Sequence, residues 1–263
     1  MIILVDSVPK YIDYAEYYDY DHVGQPMMED VPFYIEYAKE TGGPILELAC
    51  GTGRVLIPIV EAGFTIHGLD ISENMLCVAR ANIKEKKLSD LVTLSHNDMA
   101  DFDLPIKNYG MAYIAARSFM HLFTQKKQLD CLECVHRHLK PGGLLLMDLY
   151  APNFKWLSKA PEDDFEVRRE FTLPNGNRVI HKRRFRGVDA VNQINSEEIL
   201  FEEYDRKGNL VHTKKAYMDT RFTFRYELEL LLDKVGFRVQ NIFRDYKKNT
   251  FDGTGEIIVV AQK

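Results

Sequence analysis

From Pro44 onward, short apolar runs alternate with stretches whose apolar residues recur at helical spacing. Ile45 to Cys50 predicts a strand, Val55 to Ala62 a helix with Pro58 inside it, and Thr65 to Asp70 a second strand. Asn74 to Glu85 then predicts a helix, and Val92 to His96 and Tyr109 to Ala115 predict strands. Lys126 to Leu139 follows as a helix and Gly143 to Tyr150 as a strand. Strand and helix in turn, with connections this short, imply right-handed crossovers. The fold class is therefore α/β, a doubly wound, Rossmann-like parallel sheet with helices on both faces.

The rhythm changes at Ala151-Pro152. Four part-polar runs, Glu166 to Leu173, Arg178 to Phe185, Gln193 to Tyr204 and Leu210 to Tyr217, predict antiparallel strands. Pro174-Asn175-Gly176-Asn177 and Asp205-Arg206-Lys207-Gly208-Asn209 between them are hairpin-turn compositions. The α/β pattern then resumes: Thr223 as an N-cap, Arg225 to Val235 as a helix ended by Gly236, and strands over Phe237 to Phe243 and Glu256 to Ala261. The expected organisation is a tyrosine-rich helical lead-in over 1–40, an α/β unit formed by 41–150 and 221–263, and an antiparallel insertion over 151–220.

Composition narrows this picture. With 263 residues, 46% hydrophobic and 28% charged, the chain is neither disordered nor fibrous. Its 34 basic and 39 acidic side chains give a net charge of −5, the wrong sign for life on a phosphate backbone. Met1-Ile2-Ile3-Leu4-Val5-Asp6 lacks the basic and apolar regions of a signal peptide, and no run reaches 18 apolar residues. A cytoplasmic protein without a membrane partner is expected, and four sparse cysteines suit a reducing compartment. Cys131, Cys134 and His138 resemble a metal stripe, but one helix spreads them over roughly 10 Å, too far to converge on one ion. No metal is expected.

The sharpest local feature is Glu47-Leu48-Ala49-Cys50-Gly51-Thr52-Gly53-Arg54, a strand that enters a glycine turn and then a helix. Glycine lets backbone turn sharply and approach a ligand closely. A dinucleotide fingerprint would place a third small residue at position 56, which is Leu56. Asp70, at the carboxyl edge of the next strand, can accept hydrogen bonds from both hydroxyls of a ribose, or serve the following helix alongside a Ser72 cap. Asn97-Asp98-Met99 follows the third strand in the same register. There Asp98 can accept from an exocyclic amine, the Met99 backbone can read a ring nitrogen, and Met75 can cover the ring or simply pack in the core. Ligands in doubly wound sheets bind at such strand tips.

Four motifs together, Glu47 to Arg54, Gly68-Leu69-Asp70-Ile71-Ser72-x-x-Met75-Leu76, Asn97-Asp98-Met99, and Leu139-Lys140-Pro141-Gly142-Gly143, resemble the class I S-adenosylmethionine-dependent methyltransferases. The resemblance implies S-adenosylmethionine as cofactor. It places Tyr18, Glu47, Ala49, Gly51, Gly53, Asp70, Ile71, Met75, Asn97, Asp98, Met99 and Ala115 around that cofactor, with Asp70 on the ribose and Asp98 on the adenine amine. Ala15-Glu16-Tyr17-Tyr18-Asp19 and Ala115-Ala116-Arg117-Ser118-Phe119-x-His121-Leu122 are similar to small-molecule N-methyltransferases of the amino-sugar N,N-dimethyltransferase and glycine N-methyltransferase types. In those, a tyrosine like Tyr18 closes over the cofactor as a lid, and an inserted antiparallel sheet covers the substrate. The Asp or Asn common before the serine is Arg117 here.

The chemistry is alignment of an acceptor with an activated methyl group and removal of one proton. His121 is the best-placed general base, and Tyr18 joins it as a catalytic candidate. A satisfied structural histidine is the alternative for His121, and an aromatic packing face over Tyr11, Tyr14 and Tyr18 is the alternative to a lid. Ser118, His121, Tyr150 and Arg184 are the expected substrate contacts, with Asp148 a weaker one. The insertion carries Arg168, Arg169, Arg178, His181, Lys182, Arg183, Arg184 and Arg186, either as a solvated face or as partners for an anionic acceptor. Lys182 and Arg184 alternate with Arg183 in the side they face. The partner expected is a small-molecule methyl acceptor, with a homodimer left open. O-methylation, a macromolecular acceptor, a non-catalytic S-adenosylmethionine-binding module and a nicotinamide dehydrogenase are the competing functions; Leu56 and Asp98 argue against the last.

Overall fold

A computed structural model describes residues 15–22 and 29–263; Tyr11 and Tyr14 lie outside the described residues. In chain order the elements are α1 (Ala15–His22), α2 (Asp30–Thr41), β1 (Ile45–Leu48), α3 (Leu56–Glu61), β2 (Ile66–Asp70), α4 (Glu73–Glu85), β3 (Val92–His96) and β4 (Tyr109–Ile114). Then follow α5 (Gln125–His138), β5 (Leu139–Tyr150), α6 (Phe154–Leu157), β6 (Glu166–Thr172), β7 (Arg178–Asp189), β8 (Ile194–Tyr204), β9 (Leu210–Arg221), α7 (Arg225–Val235), β10 (Arg238–Phe243) and β11 (Glu256–Gln262).

One sheet has seven strands in the order β10-β11-β5-β4-β1-β2-β3. β5, β4, β1, β2 and β3 run parallel to one another, while β11 runs antiparallel to both β5 and β10. Alternate residues of β1 and β4 divide its core. Leu46, Leu48, Ala112 and Ile114 join α5 and α7 on one face, and Ile45, Met111 and Tyr113 join α2, α3 and α4 on the other. Order reverses between β1 and β4, so the carboxyl ends of these strands flank a crevice.

Local chemistry sets the boundaries. The Ser72 hydroxyl caps α4 by accepting from the Met75 N–H at 3.3 Å, and Thr124 caps α5 through Lys127 N–H at 3.2 Å. Gly236, at φ +100°, ends α7. The expected Thr223 cap is a correction: α7 begins after Phe224, and the buried Thr223 hydroxyl instead accepts from Gln128 at 3.2 Å and Arg221 at 3.1 Å. β5 begins at Leu139 rather than Gly143, because Leu139 pairs with Tyr109 and Lys140 to Gly143 bulge out before Leu144 pairs with Met111. Leu56 packs over Gly68, where an added Cβ would lie 2.7 Å from Leu56 Cδ1 and 2.9 Å from Cys50 Sγ. The small residue that a leucine displaces from the helix is thus supplied by the adjacent strand.

The second sheet is an antiparallel meander of order β6-β7-β8-β9, inserted in the chain between β5 and α7. Its hairpin arms are longer than predicted, β7 reaching Asp189 and β9 reaching Arg221. The lead-in helix α1 ties this sheet to the glycine turn. Tyr17 packs among Val179, Ile199, Phe201 and Ala216 and donates to Glu203 at 2.7 Å, and Asp21 pairs with His181 at 2.8 Å. From the same helix, Asp19 accepts from the Thr52 hydroxyl at 2.5 Å and from Asn82 at 3.1 Å. His138 uses both ring nitrogens on backbone, accepting from Leu104 N–H at 2.9 Å and donating to Cys134 C=O at 2.7 Å, while Cys131 and Cys134 are buried thiols.

Candidate active site

Two cavities meet at the carboxyl ends of the parallel strands. The first is lined by Tyr18, Ala49, Gly51, Asp70, Ile71, Ser72, Met75, Met99, Ala116, Ser118 and His121. Its floor is the turn after β1, where Ala49, Gly51 and Gly53 have φ of +55°, +54° and +87°. Gly51 faces open space, so backbone is bared where a side chain would otherwise stand. Asp70 at the tip of β2 accepts from Gly51 N–H and from Ser72 N–H, each at 2.8 Å. Burial raises its pKa, and these two N–H donors oppose the rise.

Beneath the turn lies Glu47, 2% exposed, whose Oε2 has no hydrogen-bond partner among the described residues. Burial pushes its pKa up to about 8, against the pull of the nearby Arg54. A carboxyl whose pKa is higher folded than unfolded stabilises the fold below its ordinary value near 4.5, and that stability is lost as pH rises through 8. We expect Glu47→Gln to gain stability over the parent between pH 5 and 8 in the unliganded protein. The difference should grow by up to about 1.4 kcal/mol per pH unit, as read from urea unfolding at each pH. A constant difference would rule out titration of Glu47 in that window.

The second cavity, about 370 Å³, lies between the sheet and the insertion and is the size of a small-molecule site. Tyr18, Ala116 and His121 line both cavities. Arg117 and Tyr150 come to the second from the α/β side, Trp156 from α6 just after β5, and Arg183, Asn195, Glu197 and Thr220 from the inserted sheet. His121 donates from Nδ1 to the Asp219 carbonyl at 3.0 Å, which leaves Nε2 as the acceptor. Burial lowers its pKa to about 4, so the ring is neutral at physiological pH. The Tyr18 ring packs on His22, with centroids 4.1 Å apart, and burial raises its phenol pKa.

Several expected contacts stand elsewhere. Arg184 does not line the second cavity: alternation along β7 turns it to Glu198 at 2.5 Å, and it is the neighbouring Arg183 that reaches the cavity wall, paired with Glu197 at 3.1 Å. Ser118 lines the first cavity rather than the second, donating from Oγ to Ala115 C=O at 2.8 Å. Ala115 is buried behind Ala116, which is the residue that reaches the cavities. Asp98 is taken up by Ala100 N–H at 2.8 Å and Lys127 Nζ at 2.9 Å, so the residue of its segment that lines the first cavity is Met99. Asn97 donates its N–H to Asp70 C=O at 3.0 Å, and Gly53 faces a third hollow beside Arg54 and Asn82. Asp148 is fully buried behind the second cavity rather than in it. Arg183 and Asn195 were legible only as alternating strand positions, which do not say which face meets a pocket.

The first cavity fits an adenosyl cofactor: bared backbone at Gly51, a fixed carboxylate at Asp70, and the apolar side chains Ile71, Met75 and Met99 as walls for a ring. A sequence-family model described as a methyltransferase domain matches residues 45–143. Over 234 residues the chain is 32% identical to a glycine/sarcosine N-methyltransferase of Parasynechococcus marenigrum (strain WH8102), covering 88% of this chain and 76% of that protein. It is 28% identical over 237 residues to the dTDP-3-amino-3,4,6-trideoxy-alpha-D-glucopyranose N,N-dimethyltransferase of Streptomyces venezuelae, covering 87% and 92%. The solved structure of the CcbJ methyltransferase from Streptomyces caelestis has the same fold, with a TM-score of 0.78 over 96% of this chain and 97% of that one, at 23% identity. The chain belongs to the class I S-adenosylmethionine-dependent methyltransferases. It is an enzyme, and its cofactor is S-adenosylmethionine.

Proposed function

We propose that this enzyme methylates an amine nitrogen of a small polar acceptor held in the cavity beneath the insertion. The observation that carries this reading is the shared wall: Tyr18, Ala116 and His121 line both cavities, so the two meet where a methyl group would pass. Asp70 is assigned to the ribose, and Gly51 to close backbone contact with the cofactor. S-adenosylmethionine supplies a methyl carbon already activated by its sulfonium. The protein's part is to align the acceptor, exclude water and accept a hydrogen bond. Tyr18, on a helix tied to both the glycine turn and the insertion, closes the junction.

His121 favours nitrogen over oxygen. An imidazole with a pKa near 4 is too weak a base to draw a proton from a hydroxyl, yet its Nε2 can orient an N–H so that the lone pair faces the methyl carbon. Relatives named as glycine/sarcosine and amino-sugar N-methyltransferases support an amine acceptor.

A panel of amines and matched alcohols, assayed for S-adenosylhomocysteine release, tests the reading. Turnover of amines only is expected, and turnover of alcohols only would overturn it. For the best amine, His121→Ala should lower kcat about 100-fold, the scale of lost alignment, with cofactor affinity retained. Because His121 stays neutral above pH 4, the acid limb of kcat/KM should follow the ammonium pKa of each acceptor. An acid limb fixed near pH 6.5 for every acceptor would instead assign a titrating histidine.

A further inference from the structure

The tip of β4 carries an arrangement that alignment of an amine does not require. Ala116 and Arg117 are successive non-glycine residues in the left-handed region, at φ +57° and +62°. Such residues persist only where surrounding contacts fix them. Here the Arg117 N–H donates to Asp148 Oδ2 at 3.0 Å, and Tyr34 donates to the other oxygen at 2.8 Å. The Arg117 guanidinium is held as firmly. Nε and Nη2 donate to Glu256 at 3.2 and 2.6 Å, and the group lies 4.2 Å from the centre of the Tyr150 ring. Nη1 has no hydrogen-bond partner among the described residues, and the side chain lines the second cavity. Arg183, on the insertion, is similar. Nε and Nη1 are used by His181 and Glu197, and Nη2 is not used within the protein among the described residues.

The charges lining this cavity are two guanidiniums and one carboxylate, Glu197, and burial lowers the pKa of both lining imidazoles, His22 and His121. Each guanidinium is already paired, Arg117 with Glu256 and Arg183 with Glu197, yet each keeps N–H donors that no group of the described residues takes. An anionic group can accept charge-assisted hydrogen bonds from these pre-fixed donors, stronger than those an uncharged acceptor would receive.

We propose that Arg117 is the specificity-determining residue of this enzyme, and that it selects an amine that also carries an anionic oxygen group, a carboxylate or a phosphate. This rests on the amine reading above.

The test uses matched series: an amino acid, its carboxamide and its amino alcohol, and a phosphorylated amine beside its parent amino alcohol. With the parent enzyme, kcat/KM for the anionic member of a series should exceed that of its uncharged analogue roughly 10- to 100-fold, the scale of hydrogen bonds to a charged group. Preference within the amino-acid series alone identifies a carboxylate, and within the phosphorylated series alone a phosphate. Arg117→Asn should erase the preference through KM while S-adenosylhomocysteine affinity, measured by calorimetry, changes less than about threefold. Should the unpaired Glu256 unfold that variant, Arg117→Asn with Glu256→Gln carries the same test. Melting of the S-adenosylhomocysteine-saturated protein with each compound gives a second readout that needs no turnover. Stabilisation by anionic amines only, lost in the variant, supports the proposal. Equal stabilisation by the uncharged analogues, or a preference that survives loss of Arg117, overturns it. Failure of every amine to be methylated while anionic compounds still bind through Arg117 would overturn the amine reading and leave anion recognition standing.

Discussion

Asp70→Ala is expected to remove most cofactor binding while leaving a folded protein. The carboxylate of Asp70 already fixes the glycine turn by accepting from Gly51 N–H and Ser72 N–H at the tip of β2, and in the proposed reading it also takes the ribose hydroxyls. Each hydrogen bond to a charged group contributes about 1.5–3 kcal/mol, so the loss should be at least about 100-fold in affinity. The parent protein at about 100 times the dissociation constant of S-adenosylhomocysteine should gain roughly 2.7 kcal/mol of stability, and the variant should lose nearly all of that gain. Asp70→Asn is the informative companion: an amide keeps one accepting oxygen, so an intermediate loss is expected. An unchanged melting response in Asp70→Ala would take the ribose from this residue.

The largest effect on folding should come from Asp30→Ala. Arg54, the residue after the glycine turn, donates Nη1 and Nη2 to the two oxygens of Asp30 at 2.8 and 2.5 Å, and Asp30 is 1% exposed at the start of α2. Asp30 holds the guanidinium pKa well above its already high ordinary value, against the cost of burial. Removing one partner of a buried pair leaves the other charge uncompensated and costs about 3–5 kcal/mol. In a chain of this size that is a fall of about 10 °C in melting temperature. Asp30→Leu combined with Arg54→Met should recover much of the loss, since removing both charges also removes the cost of burying them. If the double variant is no better than Asp30→Ala, the pair acts through geometry at the glycine turn rather than through charge.

Most of the α/β unit was legible in the sequence because its strands are covered on both faces and its helices are amphipathic. β2 and β4 are buried at every position, which in β4 appears as an uninterrupted apolar run, while β2 carries the polar His67 and Asp70. The boundaries that failed did so where tertiary partners override local preference. Thr223 has the composition of a cap but is drawn into the Arg221 and Gln128 network. Lys140 to Gly143 reads as a turn but is a bulge within β5, where an added Cβ at Gly143 would lie 3.1 Å from the Tyr109 carbonyl.

The site divides in the same way. The glycine turn, Asp70 and Met75 are reached by short-range spacing along one βαβ unit, and the first cavity contains them. The acceptor side is assembled from residues far apart in the chain, Tyr18, Arg117, His121, Arg183 and Asn195. A period of two along β7 separates Arg183 from Arg184 but gives no sign of which one points inward. The sequence by itself therefore determined the doubly wound fold, the inserted sheet and the cofactor turn, because local periodicity and short loops specify them. Which face of the insertion closes the second cavity, that Glu256 and Tyr150 fix Arg117, and that desolvation lowers the pKa of the half-buried His121 were settled only by tertiary packing. Those are long-range juxtapositions, and side-chain packing rather than sequence spacing sets them.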